Sequence, residues 1–361
     1  MESLVNFKNF WKGKRVLVTG HTGFKGGWLS LCLQEFGAEI VGLSLEPPTN
    51  PNFFTLTNLA EGIDHLHCDI RNGDSLKSIF RKYKPEFIFH LAAQPLVRYS
   101  YINPVETYET NFMGTLNVLE AIRDVNSVRS AILVTTDKCY KNFEKEAGYK
   151  EDEPMGGHDP YSSSKGAAEL LISSYRDSFF HSERYEEHKT GIASARAGNV
   201  IGGGDWAEDR LIPDSISSIV NGKNINLRNP YATRPWQHVL EPVFGYLFLA
   251  ENLFERGGEF SEGWNFGPNV NDAKTVSWMV DSLIQTWGSD IEWKQDKEPS
   301  PHEAHYLKLD CSKAEERLKW QPILSPSEAI ELVVSWHKSF ISNESMREVS
   351  IKQIKDFVEK F

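Results

Sequence analysis

Lys14-Arg15-Val16-Leu17-Val18-Thr19-Gly20-His21-Thr22-Gly23-Phe24-Lys25-Gly26-Gly27 is the stretch that decides the fold. Its first half is a short apolar run of the kind a buried strand makes. Its second half is glycine-rich and leads into apolar residues at Trp28, Leu29, Leu31, Cys32, Leu33 and Phe36, a helical pattern. Glycines between a strand and a helix allow a tight turn and close approach of the backbone to a pyrophosphate. The helix N-terminus then offers free N–H groups to phosphate. Gly20, Thr22, Gly23, Phe24, Lys25 and Gly26 are therefore the expected contacts of a dinucleotide.

Working outward, Glu39-Ile40-Val41-Gly42-Leu43 reads as a second strand. An acid at its end grips the ribose diol of NAD in the usual arrangement, but Ser44 stands there, with Glu46 two residues on. No arginine cluster for a 2′-phosphate accompanies it, Lys25 being the nearest basic residue, so NAD is favoured over NADP. A third strand over 65–70 ends at Asp69 and Ile70, within reach of the adenine. A fourth, Phe87-Ile88-Phe89-His90, leads to Leu91, Ala92 and Ala93, small enough to let backbone approach the cofactor. His67 and His90 read as strand or core histidines. Residues 104–125 read as one long helix, its apolar face serving the core or a subunit contact. Strands alternating with helices predict an α/β fold, a doubly wound (Rossmann) parallel sheet. After the sixth strand, Ile192-Ala193-Ser194-Ala195-Arg196, the alternation weakens. We expect a cofactor domain over 1–198 and a smaller mixed α+β substrate lobe over 199–361, interleaved with the first.

A second stretch carries the chemistry. The strand-like run Ala131-Ile132-Leu133-Val134 delivers Thr136, Asp137 and Lys138, and Tyr161-Ser162-Ser163-Ser164-Lys165 follows at the start of a helical pattern. Residues i and i+4 of a helix share a face, with Cβ atoms roughly 5–6 Å apart. An ammonium that close lowers a phenol from its ordinary pKa near ~10 and makes Tyr161 a base near neutral pH. A lone Tyr-x-x-x-Lys is common; the cofactor fold around it gives it weight.

Composition bounds the rest. At 361 residues, 40% hydrophobic and 25% charged, the chain has the makings of one large domain plus a lobe. A net charge of −11 argues against nucleic acid as a partner. Cys32, Cys68, Cys139 and Cys311 are scattered without ligand spacing, which argues against disulfides and against a bound metal, and suits a cytoplasmic location. Cys139 reads as a bystander beside Lys138. No run reaches the ~18–20 apolar residues that span a bilayer, so no membrane partner is expected. The acidic segment 148–159 reads as a solvated loop over the site mouth. The Gly-rich turn Asn199-Val200-Ile201-Gly202-Gly203-Gly204-Asp205-Trp206 suits a loop over a ligand. Arg210, Arg228, Arg234 and His238, set among Pro and aromatic residues, suggest phosphate and base recognition. Residues 264–268 and 301–306 are expected to complete the same lobe, and the tail from Met346 reads as a packing helix.

In order along the chain, Thr19-Gly20-x-x-Gly23-Phe24-x-Gly26, His90-Leu91-Ala92-Ala93, Tyr161-x-x-x-Lys165 and Arg196-x-x-Asn199 resemble the extended short-chain dehydrogenase/reductase superfamily. Within it the chain is most similar to the nucleoside-diphosphate-sugar 4,6-dehydratases. Those carry Thr-Asp-Glu where this chain has Thr136-Asp137-Lys138. The lysine resembles the members acting on CDP-glucose, as do Gln94-Pro95-Leu96-Val97-Arg98, Gly202-Gly203-Gly204-Asp205-Trp206 and Arg234-Pro235-Trp236-Gln237-His238.

The resemblance implies a tightly bound NAD regenerated at each turnover, a nucleotide-sugar substrate, and a place in deoxysugar and O-antigen (lipopolysaccharide) biosynthesis. Tyr161 would take the 4-OH proton while C4 gives up hydride, Lys165 would bind the nicotinamide ribose, and Thr136 would bond the 4-oxygen. Water would then leave across C5–C6. Asp137, to give a proton to the departing 6-OH near neutral pH, has to be buried. Lys138 would stabilise the enolate as a cation or, if neutral, act as the C5 base. Arg98, Asn199, Arg210, Arg234 and His302 would contact the nucleotide-sugar, and a homodimer or tetramer would form through helices following the fourth and fifth strands. The competing expectations are a nucleotide-sugar 4-epimerase, a dehydratase of another nucleoside-diphosphate hexose, and a cofactor-binding scaffold without chemistry. Asp137-Lys138 speaks against the epimerase, which needs no acid and base at C5–C6.

Overall fold

A computed structural model describes residues 2–269, 272–296 and 306–360. The central sheet has seven strands: β1 (Arg15–Thr19), β2 (Glu39–Ser44), β3 (Asp64–His67), β4 (Phe87–His90), β5 (Ser130–Val134), β6 (Gly191–Arg196) and β7 (Gly263–Asn265). They lie in the order β7-β6-β5-β4-β1-β2-β3, every neighbouring pair parallel. Parallel strands need long crossovers, which place helices on both faces of the sheet. The helices of ten or more residues are α1 (Glu2–Trp11), α2 (Phe24–Glu35), α3 (Gly73–Tyr83), α4 (Gly114–Arg123), α5 (Pro160–Phe179), α6 (Leu211–Val220), α7 (Leu240–Arg256), α8 (Val276–Trp287), α9 (Pro326–Ile341) and α10 (Met346–Val358).

Period-2 alternation sorts the strand residues between two cores. Val16, Val18, Phe87, Phe89, Ile132, Val134, Ala193 and Ala195 pack on one face with Trp28 of α2, Val243 and Leu247 of α7, and Ile354 of α10. Leu17, Ile88, Ala131, Leu133 and Ile192 pack on the other with Leu76 and Phe80 of α3, Val118 of α4 and Ile172 of α5. A third apolar cluster gathers α6, α8 and α9 around Ile225, Leu227 and Trp236, apart from the sheet. The tail from Met346 is a packing helix, α10, with Met346, Ile354, Phe357 and Val358 buried.

Two expectations are corrected. Trp264 and Asn265 do not belong with the substrate lobe: they form β7, the edge strand beside β6. The span 104–125 is helical but not uniformly α. A π-helical turn over Glu109–Met113 separates Pro104–Tyr108 from α4. Such turns rotate one residue out of the regular ladder; here Asn111 points at α5, donating to Ser164 Oγ at 2.9 Å and to Gln94 O at 3.0 Å.

Candidate active site

The strand order reverses between β1 and β4, so the crevice beyond their carboxyl ends is where an open α/β sheet binds ligands. A cleft of about 1880 Å³ opens there. Gly20, Thr22, Gly23, Phe24, Lys25, Gly26, Asp69, Ile70, Leu91, Ala92, Ala93, Thr136, Lys138, Tyr161, Lys165, Arg98, Asn199, Arg210 and Arg234 all line it. Asp137 lies behind the wall with no exposed surface. His302 falls outside the described residues.

The glycine turn is shaped for close approach. Gly20 has φ +78°, and a Cβ there would stand 2.7 Å from Ala92 N. A Cβ at Gly26 would stand 2.1 Å from Gly20 O. Neither position accepts a side chain. At the end of β2, Ser44 Oγ is 2.6 Å from Thr22 Oγ1, and Glu46 turns to His67 at 3.4 Å rather than folding back. His67 is thus an exposed strand-end residue. His90 is a core histidine, bonded to Thr19 Oγ1 at 2.7 Å and Thr115 Oγ1 at 3.1 Å, and burial pulls it down to about 3. Asp69 is bonded by Arg71, which holds its carboxyl below the usual range.

The catalytic candidates meet where β5 ends and α5 begins. Asp159 caps α5, accepting from Ser162 N at 2.9 Å, and Tyr161 N donates to Ser100 Oγ at 3.1 Å, fixing the start of the helix. Thr136 Oγ1 donates to Asp137 Oδ1 at 3.0 Å, and Lys138 Nζ approaches the same oxygen at 3.2 Å. Among the described residues, Asp137 Oδ2 is buried without a partner. Room for that carboxyl exists because residue 198 is glycine: a Cβ there would stand 1.9 Å from Oδ2.

The expected influence of Lys165 on Tyr161 is corrected. The Lys165 ammonium donates to Val134 O at 3.3 Å, and burial pulls it down to about 8. Tyr161 is pushed up to about 12, by burial first, with a hydrogen bond to Thr136 and the charge of Arg210 pulling the other way. Helical spacing brings the two backbones together, but the lysine's long stem ends at the strand carbonyl.

Arg210 donates to Asp205 at 2.8 Å; burial works against its charge, and Asp205 more than offsets that. Arg98 donates to Asp209 Oδ1 at 2.8 Å, joining the two walls of the cleft mouth. Asn199 sits at φ +49°, with Oδ1 buried and unpartnered among the described residues. His238, expected in base recognition, is instead fully buried beside Trp28 and pulled down to about 3 by burial. The segment 148–159 is less solvated than expected. Glu151 accepts from Asn265 N at 3.0 Å, Glu153 pairs with Lys145, and its far end, Gly157, His158 and Asp159, reaches the cleft. Burial pushes the Cys139 thiol well up, which suits a bystander.

Sequence reasoning missed several supporting residues. Glu169 of α5 is buried and accepts from Thr135 Oγ1, from Ser194 Oγ at 2.7 Å and from Arg196 at 2.8 Å, so it ties β5, β6 and α5 behind the site. Gly198 and Asp209 were also missed, and Asp205 was noticed only as part of the Gly-rich turn. The available signals were small residues after a buried strand, as at Ala92-Ala93, and acids flanking Arg210. Among the described residues, no group of three His, Cys, Asp or Glu is arranged to hold a metal, and no helix is long and apolar enough to cross a membrane.

The family described as GDP-mannose 4,6 dehydratase matches residues 17–333. Over 351 residues the chain is 53% identical to the CDP-glucose 4,6-dehydratase of Salmonella typhimurium, covering 97% of this chain and 98% of that one. It is 26% identical over 355 residues to the dTDP-glucose 4,6-dehydratase of Haemophilus influenzae, covering 89% and 97%. Two solved structures share the fold. The dTDP-glucose 4,6-dehydratase of Bacillus anthracis in complex with NAD gives a TM-score of 0.74 at 22% identity, covering 92% of this chain and 98% of that one. The UDP-glucose 4-epimerase of Thermotoga maritima gives 0.75 at 23%, covering 90% and 99%.

Proposed function

The chain belongs to the GDP-mannose 4,6-dehydratase family, and from that premise we propose that it is an NAD-dependent CDP-glucose 4,6-dehydratase, converting CDP-glucose to CDP-4-keto-6-deoxyglucose. The observation that carries the reading is the 53% identity to a CDP-glucose 4,6-dehydratase along nearly the whole of both chains. The bared glycine turn at Gly20 and Gly26, with the N-terminus of α2 behind it, fits a dinucleotide. When bound, NAD supplies a hydride acceptor for C4 and a hydride donor for C6.

The residues divide the work. Gly20, Thr22, Gly23, Phe24 and Gly26 hold the pyrophosphate side; Asp69 and Ile70 face the adenosine; Leu91, Ala92 and Ala93 let the cofactor lie against the sheet. Tyr161 takes the 4-hydroxyl proton, and Thr136, which lines the same cleft, steadies the developing 4-oxygen. The Tyr161 phenol stands high in the protein alone even with the charge of Arg210 nearby, so a bound oxidised nicotinamide would have to supply the further downward pull. Lys165, anchored at Val134 O and lining the cleft, takes the nicotinamide ribose. Asp137 is the acid assigned to the leaving 6-oxygen; it lies behind the cleft wall and acts through Thr136 Oγ1 and Lys138 Nζ, which are bonded to its Oδ1 and line the cleft. Arg98, Arg210, Arg234 and Asn199 take the nucleotide-sugar, as would His302.

The division into a cofactor part over 1–198 and a mainly substrate-binding part over 199–361, interleaved with the first through α7, β7 and α10, a cytoplasmic location, and a role in O-antigen-type polysaccharide biosynthesis belong to the same proposal. So does a homodimer or tetramer: Ile102, Val105, Met113, Leu170 and Phe179 are exposed along α5 and the helical segments after β4. Incubation with NAD and a panel of CDP-, dTDP-, UDP- and GDP-glucose tests the reading. CDP-glucose should give the 4-keto-6-deoxy product fastest. A C4 epimer with its 6-hydroxyl intact would overturn it, and preference for another nucleotide would reassign the substrate.

A further inference from the structure

The second strand of a dinucleotide site usually ends, about 20 residues past the glycine turn, on an acid that accepts from the ribose 2′-hydroxyl. Here β2 ends on Ser44. The strand end is held from two sides. Gly20 N donates to Leu43 O at 2.7 Å, and Cys68 N donates to Ser44 O at 3.0 Å, so it is tied both to the glycine turn and to the segment after β3. Ser44 is buried but for its share of the cleft wall, beside Thr22 and Gly23. Glu46, two residues on, is exposed and turned to His67 at 3.4 Å. Arg71, which also lines the cleft, is taken by Asp69 at 2.6 Å.

Counting protons fixes what Ser44 can offer. A hydroxyl has one proton to give and two lone pairs with which to receive. Thr22 Oγ1 lies 3.1 Å from Leu45 O, and a carbonyl oxygen only accepts, so the threonine proton is spent on that contact. Ser44 Oγ lies 2.6 Å from Thr22 Oγ1, and with the threonine proton already placed the serine has to be the donor. The relay runs from Ser44 to Thr22 to Leu45 O. Among the described residues Ser44 Oγ has no other partner, and it keeps lone pairs for a ligand but no proton.

We propose that Ser44, locked as an acceptor by Thr22, selects NAD over NADP in place of the missing carboxylate. The inference rests on the reading of the glycine turn and cleft as an NAD site. The adenosine 2′-hydroxyl of NAD brings a proton, which a lone pair of Ser44 Oγ accepts. A 2′-phosphate brings negative charge and acceptor oxygens, and meets lone pairs only. A site built to hydrogen-bond one group rejects the analogue that leaves its polar atoms unpaired. The choice is therefore made by hydrogen-bond polarity, without a charged side chain. It is set at second hand, by the Leu45 carbonyl acting through Thr22.

Calorimetric titration of the full-length protein, exchanged free of carried-over nucleotide, with NAD and with NADP tests this. The parent should bind NAD at least about tenfold more tightly; equal affinity would overturn the proposal. Ser44→Ala should weaken NAD by about three- to tenfold and leave NADP no weaker, so the preference shrinks. Thr22→Val frees the serine proton, and NADP should tighten by about three- to tenfold. An unchanged preference in Thr22→Val, with both cofactors weakened alike, would overturn the relay and leave Thr22 a plain pyrophosphate contact. Ser44→Asp should keep NAD and weaken NADP by about tenfold or more, because it restores the usual acid. A preference unmoved by Ser44→Asp would show that residue 44 does not meet the ribose, and would overturn the placement. Glu46→Gln should keep the parental preference; its loss there would give the role to Glu46. If neither cofactor binds the parent, the NAD reading falls and this inference with it. A parent that binds NAD but does not dehydrate CDP-glucose would contradict the dehydratase reading alone.

Discussion

Replacing Gly198 by alanine isolates the acid of the site without touching its chemistry. The new Cβ would stand 1.9 Å from Asp137 Oδ2 and 2.1 Å from its Cγ. Ordinary contact is near ~3.5 Å, so the carboxyl has to retreat by roughly 1.5 Å. Retreat is obstructed, because Asp137 is fully buried and its other oxygen is bonded to Thr136 at 3.0 Å and Lys138 at 3.2 Å. Two costs follow. Overpacking a closed interior takes about 1–3 kcal/mol from stability, and displacing a reacting group by about 1 Å takes about 10²-fold from its step. Gly198→Ala should therefore lower the denaturant midpoint by circular dichroism and slow formation of the 4-keto-6-deoxy product by about 100-fold. Reduced cofactor should accumulate, because C4 oxidation does not use Asp137. Unchanged stability together with unchanged product formation would refute the reasoning: the carboxyl would be neither confined by Gly198 nor the acid.

Three further outcomes are expected. Glu169→Gln leaves Arg196 charged and buried without its partner, which should cost about 3–5 kcal/mol in urea unfolding, with much of the loss recovered on adding Arg196→Met. Glu241 of α7 is buried, accepts from Ile323 N at 3.0 Å and Leu324 N at 2.7 Å, and is pushed up to about 7 by burial. Between its unfolded value near ~4.5 and that folded value the native state binds the extra proton, so stability falls as pH rises, by about 3 kcal/mol across the window. Glu241→Gln should flatten that slope and unfold later than the parent at pH ~8. Tyr161→Phe should abolish C4 oxidation, seen as absence of reduced cofactor, while calorimetric NAD binding persists; oxidation at the parental rate would remove Tyr161 from its role.

Much of this was legible in the chain because it is local. The strand before Gly20, the cradle glycines and the small residues after β4 are consecutive in sequence, and each states its own backbone requirement. Thr136-Asp137-Lys138, the proposed catalytic triplet, is local in the same way. What escaped depends on meetings at long separation. Trp264-Asn265 is too short a run to declare itself a strand, and it becomes one because β6 offers an open edge. Gly198 matters because Asp137, on the neighbouring strand's end, needs the space. Lys165 was placed correctly on the helix face but not at its tip, since spacing fixes where a side chain starts and packing fixes where it ends. His238 had the company of aromatic residues that marks a ligand site, and those neighbours turned out to be core.

The central claim is that hydride leaves C4 and returns to C6 of the same sugar while water is lost between them. CDP-glucose carrying deuterium at C4 tests it most directly, with the product read by mass and by nuclear magnetic resonance. The account predicts CDP-4-keto-6-deoxyglucose with the deuterium at C6. Deuterium retained at C4 of an epimerised sugar, or absent from C6 of a dehydrated product, would contradict it.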